Sequence, residues 1–433
     1  MLSIKRMGLE RTKILVISSN SFNQRNNNGK TLEAIFSKFA PNKLAQLFFS
    51  ENESPDWSFC NEYYKITDTD MVKAALGNVI VGEQRPDGKT GIAQKRNKLF
   101  SFLKKLFMSK PFYRELIWRK KYFAKSNLID WVKKVNPTSI FLLAGDLCFV
   151  YDIALYIHQT LNIPLSSYFT DDYIIYPQYK SLAGKRHKKR LVELSERVIE
   201  VSTLLFSIGD EMTKEYENHF HRTFYPIMNA IDDAMINRSL TPVKNNCVII
   251  SYVGGGSRGR IEALIHFGEL LKEACPEKDI IFNVYMPDTL DNKTLALFNR
   301  AGIKYRGPVY GEELQKVKSE SDYLLHIESM RKKYYMKTVL SVSTKIPEYL
   351  ATGKYIIGYG IPWLASMKLL SDNNLGYVLD ATGKQQNIVN QLRTILINPD
   401  ETMPARAINY CINRFEKEEV ASTFYERIKS IES

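Results

Sequence analysis

Asp322-Tyr-Leu-Leu-His-Ile-Glu328 and, after a charged insertion, Ser343-Thr-Lys-Ile-Pro-Glu-Tyr-Leu-Ala-Thr-Gly-Lys-Tyr-Ile-Ile-Gly358 form the stretch that decides the fold. The first half is an apolar run of strand length that ends on polar and charged side chains. The second half opens with Ser343 and Thr344, residue types that cap helices, and Gly353 stands where a short helix should end. The stretch therefore predicts a strand, a loop, a short helix and a second strand.

Glu348 indicates which kind of ligand this stretch would bind. A strand-to-helix junction in an α/β sheet points backbone N–H groups at whatever binds there, and an anion binds well. A carboxylate at the edge of such a site is a poor phosphate ligand but accepts hydrogen bonds from two sugar hydroxyls. A phosphate next to a diol describes a nucleotide. The alternative is a helix N-terminus that carries an ordinary surface glutamate.

The segment from Ser343 to Lys354 resembles the donor-site segment of the group 1 (family 4) glycosyltransferases, which have the GT-B fold. The resemblance implies an α/β protein of two Rossmann-like, doubly wound domains facing across a cleft. It also implies that Glu348 holds the ribose of a sugar nucleotide, and that the anomeric configuration is retained. The resemblance extends over nearly the whole chain, with specific motifs in the second half and diffuse ones in the first.

A glycine-rich loop supports this interpretation. Gly254-Gly-Gly-Ser-Arg-Gly-Arg260 follows an apolar strand and precedes a helical pattern. Gly254 and Gly255 let the backbone approach a pyrophosphate, and Arg258 or Arg260 can neutralise it. In the resembled family a glycine and an arginine match Gly254 and Arg260, and that arginine grips the donor diphosphate.

The resemblance gives the remaining donor-site residues. No lysine closely follows Arg260, so Lys345 is expected to replace the lysine that the family has there. The segment around Pro308 and Val309 resembles the one whose backbone reads the nucleobase. The expected donor site comprises Gly254, Gly255, Arg260, Pro308, Val309, Ser343, Thr344, Lys345 and Glu348.

The family's first glutamate is missing. The group 1 pattern has two glutamates separated by seven residues, and the matching position before Glu348 is Leu340. Glu328 precedes the insertion, Met330 to Leu340, and could serve the donor sugar only if that loop folds out. The expected catalytic residues are Arg260, Lys345 and Glu328.

The first half of the chain offers acceptor-site candidates. An apolar strand, Lys13 to Ser18, leads into a polar loop and a helical pattern, the opening of a doubly wound fold. Asp146 and the pair Asp171 and Asp172 follow later strands, whose carboxyl ends should face the ligand crevice. Contact with an acceptor hydroxyl and support of the loops are both open interpretations for the aspartate pair. The expected acceptor set is Asn28, Gly29, Asp146, Asp171 and Asp172.

Composition limits the class of protein. The chain has 433 residues, 44% hydrophobic and 25% charged, and suits two domains of about 200 residues each. Five scattered cysteines indicate reduced core thiols. No transmembrane run or apolar leader is evident, so we expect a cytoplasmic protein, or one peripheral to the inner face of the plasma membrane.

The net charge of +13 favours anionic partners. Residues 89–125 mix many lysines and arginines with aromatic and apolar residues, and 185–190 form a second basic cluster. These stretches suit an anionic membrane surface, although 89–125 could equally form a domain-packing helix. No nucleic-acid recognition signature accompanies the charge, so no nucleic-acid partner is expected.

These patterns predict an acceptor domain over 1–240, a donor domain over 241–411 and a helix over 412–433 that crosses back to the first domain. The predicted activity is sugar transfer from a nucleotide diphosphate-sugar to a lipid-linked glycan in bacterial envelope or capsule synthesis. The diphosphate charge can be neutralised by Arg260 and Lys345, so neither a metal ion nor a cofactor is expected. A sugar-nucleotide epimerase and a catalytically silent scaffold are the alternatives.

Overall fold

The computed structural model describes residues 12–23, 27–77, 81–84, 111–124, 126–176, 179–238 and 247–431. The chain divides into two compact units. Unit 1 comprises Met1–Ile227 and Val420–Ser433, and unit 2 comprises Met228–Glu419. The first division falls before the predicted boundary at 240.

Unit 1 is built on one parallel-rich sheet flanked by helices. Its strands are β1 Ile14–Ser18, β2 Leu44–Phe48, β3 Glu62–Lys65, β4 Glu83–Gln84, β5 Ser139–Ala144, β6 Leu165–Phe169, β7 Ser202–Ile208 and β8 Tyr225–Ile227. Its helices before residue 227 are α1 Asn27–Ile35, α2 Asp68–Ala75, α3 Pro111–Ile117, α4 Lys120–Phe123, α5 Leu128–Val135, α6 Cys148–Leu161, α7 Leu182–Val201 and α8 Gly209–Phe220.

The strand order of this sheet is β4-β3-β2-β1-β5-β6-β7-β8, and only the β3–β4 pair is antiparallel. Ile14 of β1 pairs with Leu44 on one side and Ser139 on the other. Every residue of β1 is buried, as a continuous apolar run in the middle of a parallel sheet requires. The chain reverses direction across the sheet at β1, so the carboxyl ends of β1 and β5 form the crevice where such folds bind ligands.

Unit 2 repeats this architecture. Its strands are β9 Cys247–Val253, β10 Asp279–Tyr285, β11 Ile303–Gly307, β12 Tyr323–Ile327, β13 Tyr355–Gly360 and β14 Tyr377–Asp380. Its helices are α9 Arg260–Ala274, α10 Asn292–Arg300, α11 Gly311–Glu320, α12 Lys332–Tyr335, α13 Lys345–Leu350, α14 Ala365–Asp372, α15 Gln385–Ile397 and α16 Met403–Phe415. The order is β11-β10-β9-β12-β13-β14, all parallel, so the switch point lies between β9 and β12.

The C-terminal segment returns to unit 1. A single helix was predicted over 412–433, but α16 ends at Phe415 and a separate helix, α17, spans Lys417–Lys429. The break has a physical cause, because Ile231 donates to the Phe415 carbonyl and accepts from the Lys417 N–H, which holds the intervening residue extended. Beyond the break, Phe424 is buried in unit 1.

The cysteines are free thiols, four of them buried and Cys247 partly exposed. Of the predicted basic segment 89–125, residues 89–110 and 125 lie outside the described residues. Among the helices that the structure describes, none has both the length and the apolar character needed to cross a bilayer.

Candidate functional site

The switch point of unit 2 brings together the residues expected to bind a diphosphate. The loop from Gly254 to Arg260 joins β9 to α9, Glu328 follows directly after β12, and Lys345 begins α13. Because β9 and β12 are adjacent parallel strands, their carboxyl ends meet at the same edge of the sheet. Three segments distant in sequence therefore converge on one place.

Lys345 lies directly over Gly254. A Cβ atom built on Gly254 would be 1.6 Å from the Lys345 Nζ, and the φ angle of Gly254 is +154°. Only glycine tolerates both the backbone conformation and the contact. The Lys345 ammonium also lies 4.9 Å from the centre of the Tyr252 ring, an additional favourable contact for a cation. Gly254 therefore provides space for the Lys345 ammonium in addition to allowing the unusual backbone conformation.

The charges of the site are coupled. Arg260 Nη2 lies 3.7 Å from Glu328 Oε2. Desolvation, followed by the nearby Arg260 charge, lowers the pKa of Lys345 to about 8, although Glu328 and Glu348 oppose the shift. A lysine with this pKa is mostly protonated at neutral pH and gains stability when an anion arrives.

Glu328 is buried and ionised. Burial alone would raise its pKa, but the neighbouring His326, Arg260 and Lys345 outweigh it and the pKa falls below the ordinary value. His326 Nε2 lies 3.3 Å from Glu328 Oε1, and this proximity favours the ionised carboxylate. One carboxylate thus faces two cations, which leaves net positive charge for a ligand.

Lys318 of α11 fixes the orientation of Glu348. The Lys318 Nζ donates to Glu348 Oε2 at 2.6 Å. The lysine side chain is 1% exposed and that of Glu348 35% exposed. The sequence did not predict a role for Lys318, because a lysine in a helix rich in charged residues is expected to be exposed to solvent. The ion pair leaves the other Glu348 oxygen available to a ligand.

The glycine-rich loop is held by its own hydrogen bonds. The N–H of Gly254 donates to the Tyr285 carbonyl at 2.9 Å, and the N–H of Gly256 donates to Asp288 Oδ2 at 2.7 Å. The Tyr252 hydroxyl donates to the Gly255 carbonyl at 2.7 Å. The N–H groups of Gly254 and Gly256 in this loop are thus engaged within the protein. The side-chain cations supply most of the positive charge.

The insertion between β12 and α13 packs against the site. A Cβ on Gly259 would lie 3.2 Å from the Tyr334 ring, and the Tyr335 ring lies 5.6 Å from that of Trp363. Leu340, at the position of the family's first glutamate, is buried. Glu328, which precedes the insertion, is buried beside Arg260.

The start of α13 differs in detail from the predicted cap. The Lys345 N–H donates to the Ser343 hydroxyl at 3.4 Å, whereas the Thr344 side chain makes no cap bond. The helix has only six residues, so its dipole contributes little and the lysine itself carries the charge. Pro308, exposed, and Val309, buried, follow β11, two strands from β9.

Asp172 in unit 1 organises a loop. Its carboxylate is 3% exposed and accepts hydrogen bonds from the N–H groups of residues 174–176 and from the Tyr216 hydroxyl. Asp171 accepts from the Tyr173 hydroxyl at 3.2 Å. These contacts favour the supporting role over acceptor contact for Asp172, because four donors already fill its lone pairs.

The other acceptor candidates lie along the same sheet edge. Asn28 donates to Asn20 at 3.2 Å, and Gly29 lies in α1, where a Cβ would be 2.3 Å from the Asn23 carbonyl oxygen. The close approach of the Asn23 backbone explains why a glycine occupies position 29. Asp146 is half-buried after β5.

A polar cavity of about 250 Å³ opens at the carboxyl ends of β1 and β2. Its lining comprises Ser19, Asn20, Phe49, Ser50, Glu51, Asn52, Asp68, Arg114 and Leu147, which includes none of the predicted acceptor residues. No sequence motif marks it, since five separate segments contribute.

Unit 1 also assembles a cluster that cysteine and histidine spacing did not predict. Glu115, Cys148 and His187 place ligand-type atoms within 4.8 Å of one another. Glu115 Oε2 already lies 3.3 Å from Arg190, and the buried His187 Nε2 has no hydrogen-bond partner to orient it as a metal ligand. The cluster therefore serves as an ion-pair network that joins α3, α6 and α7.

Comparison with solved structures identifies the architecture. Sucrose-phosphate synthase from Thermosynechococcus elongatus superposes with a TM-score of 0.60 at 12% identity, covering 97% of this chain and 99% of that one. Alr3699/HepE from Anabaena, solved in complex with UDP-glucose, gives 0.57 at 12% identity and covers 97% and 100%. WaaG, a glycosyltransferase involved in lipopolysaccharide biosynthesis, gives 0.56 at 13% identity and covers 97% and 99%.

No protein-family model matches the chain, and no curated protein matches it by sequence. The structural matches cover nearly the whole chain and show that it has the GT-B fold, as the sequence predicted.

Proposed function

We propose that the protein is a glycosyltransferase that uses a nucleoside diphosphate-sugar as its donor. One observation carries the proposal: the Lys345 ammonium lies over Gly254 at the switch point of unit 2, next to Arg260. Two cations face a single buried carboxylate there, so the site carries net positive charge and favours an anionic ligand. A diphosphate meets that requirement.

The same cations would assist the reaction. When an acceptor hydroxyl replaces the diphosphate on the anomeric carbon, the C–O bond to phosphate breaks and negative charge grows on the leaving oxygen. Arg260 and Lys345 are positioned to stabilise that charge, and the hydroxyl proton leaves with the departing diphosphate or to water. Preorganised charges of this kind supply a large share of enzymatic rate enhancement.

Glu348 would bind the ribose, and Glu328 would bind the transferred sugar. Lys318 holds one Glu348 oxygen and leaves the other, in a half-exposed position, to accept from ribose hydroxyls. Glu328, kept ionised by its neighbours, would accept from a hydroxyl of the transferred sugar. Pro308 and Val309 would contact the base. The complex of the Anabaena neighbour with UDP-glucose supports a sugar nucleotide as the ligand class.

The proposed acceptor is a lipid-linked glycan of bacterial envelope or capsule synthesis, with retention of configuration. The support is the resemblance to the family and the neighbour involved in lipopolysaccharide biosynthesis. In unit 1, Asp146 and the cavity at β1 and β2 offer polar groups for hydroxyls. The reaction as proposed uses no metal ion, because Arg260 and Lys345 supply positive charge next to the diphosphate.

The test is a panel of UDP-, GDP- and dTDP-sugars incubated with the purified full chain, with and without EDTA. Calorimetry with the free nucleoside diphosphates measures binding, and chromatography measures release of the diphosphate. We expect one nucleotide to bind and its sugar donor to be cleaved with EDTA present. Binding of none of them would refute the donor site and support a scaffold, and an isomerised donor with no diphosphate release would indicate an epimerase.

A further inference from the structure

The insertion between β12 and α13 combines cations with aromatic rings. Its segment from Arg331 to Lys337 reads Arg-Lys-Lys-Tyr-Tyr-Met-Lys. Arg331 is neutralised, because its guanidinium pairs with Glu262. Lys332, Lys333 and Lys337 are exposed, and within the part of the chain that the structure describes none of these three forms an ion pair. The insertion therefore presents a positively charged surface.

Trp363 lies next to this surface. It is 49% exposed, and its ring contacts the Tyr335 ring edge-to-face, with 5.6 Å between the centroids and 87° between the planes. The Ala365 N–H donates to the Val339 carbonyl at 2.8 Å, which ties the loop after β13 to the insertion. Lys332 and Tyr335 are three residues apart on α12, so their side chains lie on the same side of that helix. A half-exposed indole and a lysine thus flank the same tyrosine.

These residues belong to the sheet edge where the donor site lies. The strands β12 and β13 are adjacent and parallel, and the insertion follows the first, whereas Trp363 follows the second. Tyr334 connects the insertion to the glycine-rich loop, since a Cβ built on Gly259 would be 3.2 Å from its ring. The Lys333 ammonium lies 4.5 Å from the centre of that same ring. The positive surface therefore adjoins the loop that carries Arg260.

We propose that this part of unit 2 binds a sugar ring that carries a negative charge. The residues involved, here called the glycan platform, are Lys332, Lys333, Tyr335, Lys337 and Trp363. One face of a sugar ring consists of C–H groups and packs on an aromatic ring, while a carboxylate on the sugar accepts hydrogen bonds from lysines. The contact with Tyr335 fixes the indole before a ligand arrives, which lowers the cost of ordering it. That the glycan is the acceptor of the transferred sugar rests on the proposed function.

An acidic glycan suits the platform better than nucleic acid or a lipid bilayer does. Single-stranded nucleic acid stacks successive bases on several exposed rings, but the platform offers one, because Tyr335 is partly buried. A bilayer takes up several apolar side chains beside the cations, whereas Val339 and Leu340 of the insertion are buried. The half-exposed indole with lysines around it fits a single charged ring.

Binding is tested on the full chain without a donor. Tetrasaccharides of galacturonic, glucuronic and mannuronic acid are titrated by calorimetry, together with neutral tetrasaccharides of galactose, glucose and mannose and with inorganic phosphate. We expect an acidic tetrasaccharide to bind about tenfold or more tightly than its neutral counterpart and than phosphate. Salt should weaken this binding, because the lysines are exposed. Binding of no acidic tetrasaccharide, or equal binding of the neutral one, would overturn the proposal.

Variants of Trp363 test the stacking contact. Trp363→Ala should weaken binding of the acidic tetrasaccharide about tenfold and leave its salt dependence intact, and Trp363→Phe, which keeps a ring, should restore part of the affinity. The matched control is Trp57→Ala in unit 1, because Trp57 is 37% exposed and contacts the Tyr63 ring edge-to-face at 5.0 Å. Full affinity in Trp363→Ala, or an equal loss in Trp57→Ala, would contradict a stacking contact.

A second set of variants tests the charges by replacing three lysines with glutamine. In the platform these changes are Lys332→Gln, Lys333→Gln and Lys337→Gln, and in the control they are Lys293→Gln, Lys304→Gln and Lys384→Gln at exposed positions of unit 2. The platform variant should bind about tenfold more weakly and lose most of the salt dependence, whereas the control should bind as the unmodified chain does. Equal loss in both would overturn the proposal, because net charge alone would then explain binding.

Two further measurements separate the alternatives. Binding of phosphatidylglycerol vesicles or of a single-stranded oligonucleotide through these residues, in place of the acidic sugars, would overturn the proposal. Nucleoside diphosphate affinity, measured in parallel, reports on the donor site. A chain that binds the acidic tetrasaccharide but no nucleotide would support the platform and refute the donor site, and the reverse result would refute the platform alone.

Discussion

Replacing Lys345 by methionine should weaken ligand binding and increase the stability of the folded protein. The ammonium lies over Gly254 and beside Arg260, where the protein desolvates it and lowers its pKa from 10.5 to about 8. A pKa difference of this size corresponds to about 3 kcal/mol for a fully desolvated group. Because Lys345 keeps partial solvent contact, we expect methionine to stabilise unit 2 by about 2 kcal/mol at pH 7.

The pH dependence follows from linkage. The folded protein binds the Lys345 proton less tightly than the unfolded chain does, so the destabilisation is fully present below pH 8. It fades between about pH 8 and pH 10.5, where only the unfolded chain remains protonated. The stability advantage of Lys345→Met should therefore disappear as the pH rises through this window. Denaturant unfolding at a series of pH values measures it.

Ligand affinity should move in the opposite direction. A hydrogen bond from a charged group to phosphate contributes about 1.5–3 kcal/mol, so the variant should bind the nucleoside diphosphate about ten- to a hundredfold more weakly. In the unmodified chain affinity should also fall above about pH 8, as Lys345 loses its proton, and the variant should lack that step. Lys293→Met, an exposed lysine in unit 2, is the control for net charge. Undiminished affinity in Lys345→Met, or a variant less stable than the unmodified chain throughout, would refute the reasoning.

Three further changes follow from the contacts. Arg260→Ala should lower turnover at least tenfold by removing a cation from the leaving diphosphate; a folded variant with unchanged turnover would exclude that role. Lys318→Met should release Glu348 and lower the affinity for the nucleoside diphosphate severalfold, while the affinity for inorganic pyrophosphate stays unchanged. Calorimetry measures both affinities, and equal losses for the two ligands would argue against a ribose contact. Asp172→Asn should destabilise unit 1 by about 2–3 kcal/mol, since one side-chain oxygen becomes a donor facing donors such as the Tyr216 hydroxyl, without changing donor affinity. Unaltered unfolding in that variant would contradict the supporting role.

Local patterns in the sequence predicted most of the elements. The apolar run after Asp322 forms β12, and Gly353, with a φ angle of +63°, follows α13 where the predicted helix end lies. Such features depend on residues near one another in the chain, so spacing reveals them. The break at Glu416 could not be seen in this way, because its cause is pairing with the distant Ile231.

The candidate site likewise contains residues that the sequence predicts and residues that only the folded structure reveals. Gly254, Arg260 and Glu348 stand in recognisable motifs, but the partner of Glu348 is Lys318, 30 residues away on another helix. The sequence left Glu328 uncertain because of the insertion, and only the packing of Tyr334 on Gly259 shows where that insertion lies. Burial likewise separates the outward cations of α7 from the inward ones, although all six residues of the basic cluster at 185–190 look alike in sequence.

Phe424 has a consequence for how the protein is made. Its ring lies 5.0, 5.3 and 5.4 Å from those of Phe36, Phe141 and Phe206, so it fills the centre of unit 1. A ribosome exposes those three rings long before it translates residue 424, and all of unit 2 is synthesised in between. The interior of the nascent first unit therefore stays incomplete, with apolar surface exposed, until translation has passed α17.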